Sequence, residues 1–215
     1  MLLAIEGIAG SGKSTVRDQL LAAASAEHIP VGHIGQFSWL SLASARIIIA
    51  LRAGRTPVSE DVALAAMHHD LRLHACHNLA AARHAGHVIA DRLTISSACL
   101  LALLYPGAIE RYMEPLAAVA TARPEVTFLL TTPLGVCTER LQGRQTAARF
   151  GEAPEAAARM AELYQRGADA WARLTGQVVL RRPSTNPHDI DLLVADGLRE
   201  LRRTAAPASG MILGA

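Results

Sequence analysis

Lysine is nearly absent from the chain: it occurs once in 215 residues, at position 13, which leaves 20 of the 21 basic residues as arginine. A sequence that uses arginine everywhere else needs, at that one place, a compact charge on a flexible stem that a planar guanidinium cannot replace. Cysteine is scarce too. Cys76, Cys99 and Cys137 are odd in number, far apart and without a C-x-x-C pair, which argues against a disulfide framework or a thiolate metal site and suits reduced thiols. Neither sign of charge dominates, and a formal net charge of +2 gives no field for recognising a nucleic acid polymer. Long apolar runs are missing as well. The longest, 93–105, is interrupted by Thr94, Ser96 and Ser97 and is too short to span a bilayer. The first apolar run lacks a preceding basic region and does not read as a signal peptide. These absences predict a cytoplasmic protein with no membrane partner. Hydrophobic residues at 51%, many of them alanine, with 19% charged, exclude disorder and point to one helix-rich domain.

What is present begins at the N-terminal end. Leu2-Leu3-Ala4-Ile5-Glu6 reads as a short buried strand. Gly7-Ile8-Ala9-Gly10-Ser11-Gly12-Lys13-Ser14-Thr15 follows and fills every position of G-x-x-x-x-G-K-[ST]. The backbone N–H groups of such a loop turn inward to ring a phosphate, and Gly7, Gly10 and Gly12 keep Cβ atoms out of the turns. With Ser11 and Thr15 they form the predicted nucleotide cradle. Lys13 sets its ammonium against the outer phosphates, Ser14 offers a hydroxyl to Mg²⁺, and the helix starting there adds the positive end of its dipole.

Beyond the loop, a helix is expected over 14–26 with Val16, Leu20 and Leu21 as its stripe, then a strand over 31–35 and a Gln36-Phe37-Ser38-Trp39 exit. Helix resumes over 40–51, and Ser59 caps another that runs to about Ala85. Gly86 breaks it before a third strand, 87–91. Helical segments with a break at Pro106-Gly107 lead to a fourth strand, 126–130, and a helix follows Pro133. Another spans 153–174, and a fifth strand spans 177–180. Asn186-Pro187-His188-Asp189 resembles a cap for a last helix ending near Arg203, and 204–215 reads as a flexible tail. Strands alternating with helices predict an α/β fold, a five-stranded parallel sheet with helices on both faces. Ligands of such sheets sit at the carboxyl ends of the strands, which places the loop, Gln36 and Asp91 on one rim.

Asp91 closes the third strand on that rim. A carboxylate there can bind Mg²⁺ or take the proton of an attacking hydroxyl, and Arg92 can clamp an acceptor or the transferring group. Arg140 and Arg144, four apart on one helix face, lie with Arg149 in a polar segment. Their mutual repulsion is relieved if a triphosphate lies between them, as under a mobile lid over about 138–152; the alternative is a solvated face. His68, His69, His74, His77, His84 and His87 cluster in sequence without a completing metal-ligand pattern. Should their helix border an acceptor pocket, His68 and Arg72 set specificity, with Gln36 and Arg46 as further candidates.

These motifs resemble the thymidylate kinase family, with a secondary likeness to deoxynucleoside kinases. Ile5-Glu6-Gly7 and the loop look like the opening of both. Val88-Ile89-Ala90-Asp91-Arg92-Leu93-Thr94-Ile95-Ser96 is similar to the Asp-Arg-Tyr-x-x-Ser motif of thymidylate kinases. The spacing from Arg72 to Gly86, the lid arginines and the helix carrying Arg159 and Tyr164 fit as well. Departures fall on the acceptor side: Ala9 replaces an acid, His68 an aromatic, Leu93 a Tyr, Leu100 and Leu101 a Tyr and a Gln, and Gln36-Phe37 stands where deoxynucleoside kinases carry Glu-Pro. The resemblance implies a P-loop kinase of three-layer architecture using ATP and Mg²⁺, acting on a nucleoside or nucleoside monophosphate. Another hydroxylated small molecule is the alternative acceptor. It also implies a homodimer through the apolar helices after Arg46 and Leu93, runs that equally suit a core.

Overall fold

The computed structural model describes residues 1–144 and 150–205. Five strands, β1 (Leu2–Glu6), β2 (Val31–Ile34), β3 (His87–Asp91), β4 (Val126–Leu130) and β5 (Val178–Arg182), form one all-parallel sheet in the order β2-β3-β1-β4-β5. Side chains alternate across a strand, so this sheet builds two cores. Leu2, Ala4, Val88 and Ala90 pack on one face with apolar residues of α2 (Leu42–Arg52), α3 (Glu60–Leu73), α5 (Thr94–Leu104), α6 (Ile109–Ala117) and α8 (Pro154–Thr175). Leu3, Ile5, Ile89 and Phe128 face the other way, against α1 (Lys13–Ala26) and α9 (Pro187–Ala205). The result is the expected three-layer α/β sandwich.

Several boundaries differ from the sequence expectation. The helix expected to run unbroken to Ala85 contains a π-helical stretch, His74–Leu79, between α3 and α4 (Ala80–Ala85). α2 starts at Leu42 because Ser41 caps it, its hydroxyl accepting from Ser44 N at 3.3 Å. β5 extends through Arg181 and Arg182, and α9 continues to Ala205, two residues past the expected end. Asn186 caps α9, accepting from Asp189 N at 2.9 Å. The apolar run after Leu93 is α5, buried in the core over residues 94–99 and at Leu101 and partly exposed at Leu100 and over 102–104; α2 keeps Leu42 and Ile49 exposed. Among the described residues no helix is long and apolar enough to cross a membrane.

Candidate active site

The parallel register aligns Ile5 of β1 with Asp91 of β3, so the phosphate-loop turn and the acid leave the sheet side by side. The loop is held from behind by polar groups. Ser11 O accepts from Thr132 Oγ1 at 3.0 Å and from Ser184 Oγ at 2.7 Å, and Ser184 N donates to Thr132 Oγ1 at 3.2 Å. Gly10 (φ +77°) and Gly12 (φ +93°) have left-handed backbones, and a Cβ would lie 2.4 Å from Cys137 O at the first and 2.2 Å from Ser184 Oγ at the second. At both positions a side chain would strain the backbone and force a neighbour to shift.

In front of the loop lies a cavity of about 480 Å³, lined by Gly10, Gly12, Lys13, Ser14 and Thr15 from the loop, Asp91 and Arg92 from β3 and its turn, and Arg140 and Arg144. Gly7 and Ser11 are not in its wall: Gly7 O accepts from Arg92 Nη1 at 2.8 Å, and Ser11 is buried behind the loop. Lys13 Nζ donates to Ile8 O at 2.6 Å and to Ser11 Oγ at 3.3 Å. Burial, with the Arg92 charge, holds the Lys13 ammonium well below its ordinary value, while Asp91 and Glu6 pull the other way. An anion entering the cavity would relieve that stress.

Arg92 has φ +69°, a left-handed conformation costly for a non-glycine residue. The turn is secured by Arg92 N donating to Ile5 O at 3.1 Å, and by Nη1 bonds to Gly7 O and to the Tyr164 hydroxyl. Below it Glu6, fully buried, accepts from Leu93 N at 2.9 Å and from the Ser96 amide and hydroxyl, capping the start of α5. Burial raises the Glu6 pKa, and the hydrogen bonds from Ser96 and Leu93 oppose the rise.

Arg140 is a residue of α7 (Leu134–Gln142) fixed against carbonyls: Nη2 donates to Ser184 O at 2.8 Å and Thr185 O at 2.9 Å. It forms part of the cavity wall and is tied to the residues that follow β5. Arg144 faces the same cavity and pairs with Glu152 at 3.6 Å; Arg149 lies outside the described residues.

A second pocket, about 220 Å³, shares Asp91 and Arg92 with the first and is walled by Gln36, Phe37, Trp39 and Arg52. Gln36 Nε2 donates to Ser97 Oγ at 3.0 Å. The Arg52 guanidinium sits 5.7 Å from the Phe37 ring centre and 5.9 Å from that of Trp39, within cation–π range. Three expected acceptor residues are elsewhere. His68 and Arg72 line a separate hollow with Cys76 and Val119, and Arg46 is exposed on α2 and lines none of these cavities. The reason is helix phase: the α3 stripe facing the β2 exit carries Met67, Asp70 and Leu71, continued by His74, one step round from His68 and Arg72. Asp70 accepts from Ser38 N at 2.9 Å and Ser38 Oγ at 2.6 Å, and so holds the loop that presents Phe37 and Trp39.

Sequence reasoning therefore missed Arg17, whose Nη1 donates to Asp91 Oδ2 at 2.7 Å, together with Arg52, Asp70, Thr132 and Ser184, and named His74 only within the histidine cluster. Asp70 and His74 were findable from the i, i+3, i+4, i+7 stripe through Ala63 and Met67. Arg17, four residues after Lys13 on the same helix, carried a weaker signal.

A comparison with known families matches residues 5–176, from β1 to just past α8, to the thymidylate kinase family. The chain belongs to the thymidylate kinase family. Thymidylate kinases are ATP-dependent nucleotide kinases, and this member is accordingly a phosphotransferase of the P-loop class. A comparison with curated proteins finds no match. The phosphate loop and the Asp91-Arg92 turn, both inside the matched region, meet at the 480 Å³ cavity.

Proposed function

We propose that this thymidylate kinase relative transfers the terminal phosphoryl group of ATP to a nucleoside or nucleoside monophosphate held in a remodelled acceptor pocket. One observation carries the reading: Asp91 and Arg92 line both the phosphate-loop cavity and the pocket walled by Gln36, Phe37, Trp39 and Arg52. A group in the first and a group in the second meet at the same acid. Lys13, Arg140 and Arg144 neutralise charge on the donor side, Asp91 orients the acceptor oxygen and, where that oxygen is a hydroxyl, takes its proton, and Arg92 steadies the acceptor. Magnesium suits this cavity. Among the described residues no three His, Cys, Asp or Glu side chains gather to hold a metal by themselves. Ser14 and Asp91, both in the cavity wall, would hold the ion, which would supply charge neutralisation at the donor phosphates.

A second reading, a kinase for a less polar hydroxylated metabolite, is favoured by the apolar residues Ile8, Leu100, Phe150 and Met160 in the adjoining cavity beside Gln36 and Arg52. The exposed Leu42 and Ile49 of α2 and Val62 of α3 support a homodimer. A phosphotransfer assay with ATP and Mg²⁺ over nucleosides, their monophosphates and unrelated alcohols tests the first reading. Transfer to a nucleoside or its monophosphate is expected. Transfer to unrelated alcohols alone would replace it with the second.

A further inference from the structure

Asp91 is not alone at the end of β3. Arg17, on the second turn of α1, places Nη1 2.7 Å from Asp91 Oδ2, and its Nε is held 2.8 Å from Oδ1 of the neighbouring Asp18. The guanidinium is thus fixed at two points, as a planar fork requires. Arg17 and Asp91 side chains are each only 20% exposed, so the pair is more shielded from solvent than an ordinary surface ion pair. Arg17 is absent from the walls of both cavities that Asp91 lines. Whatever it does there, it does through Asp91.

Helix geometry gives this contact its meaning. Lys13 and Arg17 are one turn apart on α1, so the element that carries the donor-side ammonium also carries the cation that grips the acid. The spacing between phosphate loop and Asp91 is then set by a rigid helix turn, not only by the β1–β3 register. On the opposite side of the same dipeptide, the left-handed turn at Arg92 sends the next guanidinium toward Gly7 O and Tyr164. The Arg17 contact at Oδ2 thus fixes how the Asp91 carboxylate stands at the cavity.

We propose that Arg17 is a positioning residue for phosphoryl transfer, aiming the Asp91 carboxylate from α1 at the point where donor and acceptor meet. This rests on the role given to Asp91 above. The test compares Arg17→Met, Arg17→Lys, Asp91→Asn and the Arg17→Met/Asp91→Asn double variant. Turnover is followed as ADP release from ATP and Mg²⁺ with the best acceptor of the panel, water included, and thermal midpoints are recorded in parallel.

A positioning role predicts that Arg17→Met lowers kcat about tenfold or more while leaving ATP affinity and acceptor KM within about twofold, the signature of an interaction used in the transition state. Arg17→Lys should recover part of the loss. In the Asp91→Asn background the Arg17→Met loss should vanish, because the two residues act as one unit. An unchanged kcat in Arg17→Met overturns the proposal, and so does a loss of equal size in the presence and absence of the Asp91 carboxylate. Full activity in Asp91→Asn would instead remove the reading of the site itself, and is thereby distinguishable from failure of the Arg17 proposal alone.

Discussion

The Tyr164 hydroxyl, carried by α8, stands 2.5 Å from Nη1 of Arg92 and 2.6 Å from the hydroxyl of Ser96, which in turn donates to Glu6. One phenol thus joins the helix following the 138–152 segment to the strand that carries the phosphate loop and to the Asp-Arg turn. Tyr164 is buried, and burial pushes its pKa well up, so it is a neutral donor throughout the working range. Tyr164→Phe keeps the ring and deletes the oxygen. Arg92 then retains Gly7 O and Ser96 retains Glu6, so the fold should lose about 3 kcal/mol, the net worth of one neutral hydrogen bond and one to a charged group. Turnover should fall about tenfold, because a loosened guanidinium no longer holds one geometry. Steady-state kinetics beside a thermal melt check both figures; a variant with wild-type kcat would show that α8 does not steady Arg92.

Gly12 offers a sharper steric test. Its φ of +93° and the 2.2 Å approach of a Cβ to Ser184 Oγ mean that Gly12→Ala strains the backbone and displaces the residue that buttresses Ser11. ATP affinity should drop about tenfold or more, the order expected from a few kcal/mol of local strain in the loop. Adding Ser184→Ala removes the clash but not the left-handed strain, so it should recover only part of the loss. Calorimetric titration of ATP into the wild type and the two variants measures this, and full recovery in the double variant would mean that the clash alone matters.

How much of this could be read in the sequence follows from what fixed each feature. β1, β3 and β4 were legible to the residue because they are interior strands of mostly apolar residues, bounded by Gly7, Gly86 and Pro124. β5 was read short because Arg181 and Arg182 lie on an edge, where charge is tolerated and the apolar signal fades. The phosphate loop was legible because its spacing is itself the physics. Arg17, Thr132 and Ser184 were not, since their partners Asp91 and Ser11 come from 74, 121 and 173 residues away in the chain. The π-helical stretch at His74–Leu79 leaves no compositional mark, and it was helix phase that turned His68 and Arg72 away from the Asp91 pockets.

That last correction makes a prediction with two arms. Arg52 shares its pocket with Asp91 and Arg92 and lies over Phe37 and Trp39, whereas Arg72 and His68 line a different hollow. Arg52→Met should raise the acceptor KM about tenfold with little change in the KM for ATP, as loss of a charge-assisted contact and its cation–π support would do. Arg72→Ala and His68→Ala should leave the acceptor KM within about twofold, as substitutions away from a site usually do. The reverse pattern in acceptor kinetics would return specificity to α3.

His74 predicts how stability responds to acid. It is buried, with Nε2 3.0 Å from Gly35 O and Nδ1 3.0 Å from Asn78 Nδ2. A carbonyl only accepts, so Nε2 carries the proton, and the Asn78 amide donates to Nδ1; the ring is neutral. Burial lowers its pKa below 6.5, although the Gly35 carbonyl and the Asp70 charge pull it up. The unfolded chain therefore binds a proton at this residue as pH falls through 6.5 while the folded chain does not. By linkage, stability declines below that pH, by at most about 1.4 kcal/mol per unit for this one group. Glu6 has the opposite sign: burial raises its pKa above 4.5, so the folded state keeps a proton longer and loses stability as pH rises from there. Comparing the wild type with His74→Gln isolates the histidine, because Glu6, His68 and His87 titrate in both. Gln can still donate to Gly35 O and cannot be protonated. Urea unfolding at pH 7.5 and 5.5 should show a larger acid loss in the wild type than in the variant, and equal losses would mean that the His74 ring already accepts its proton in the fold.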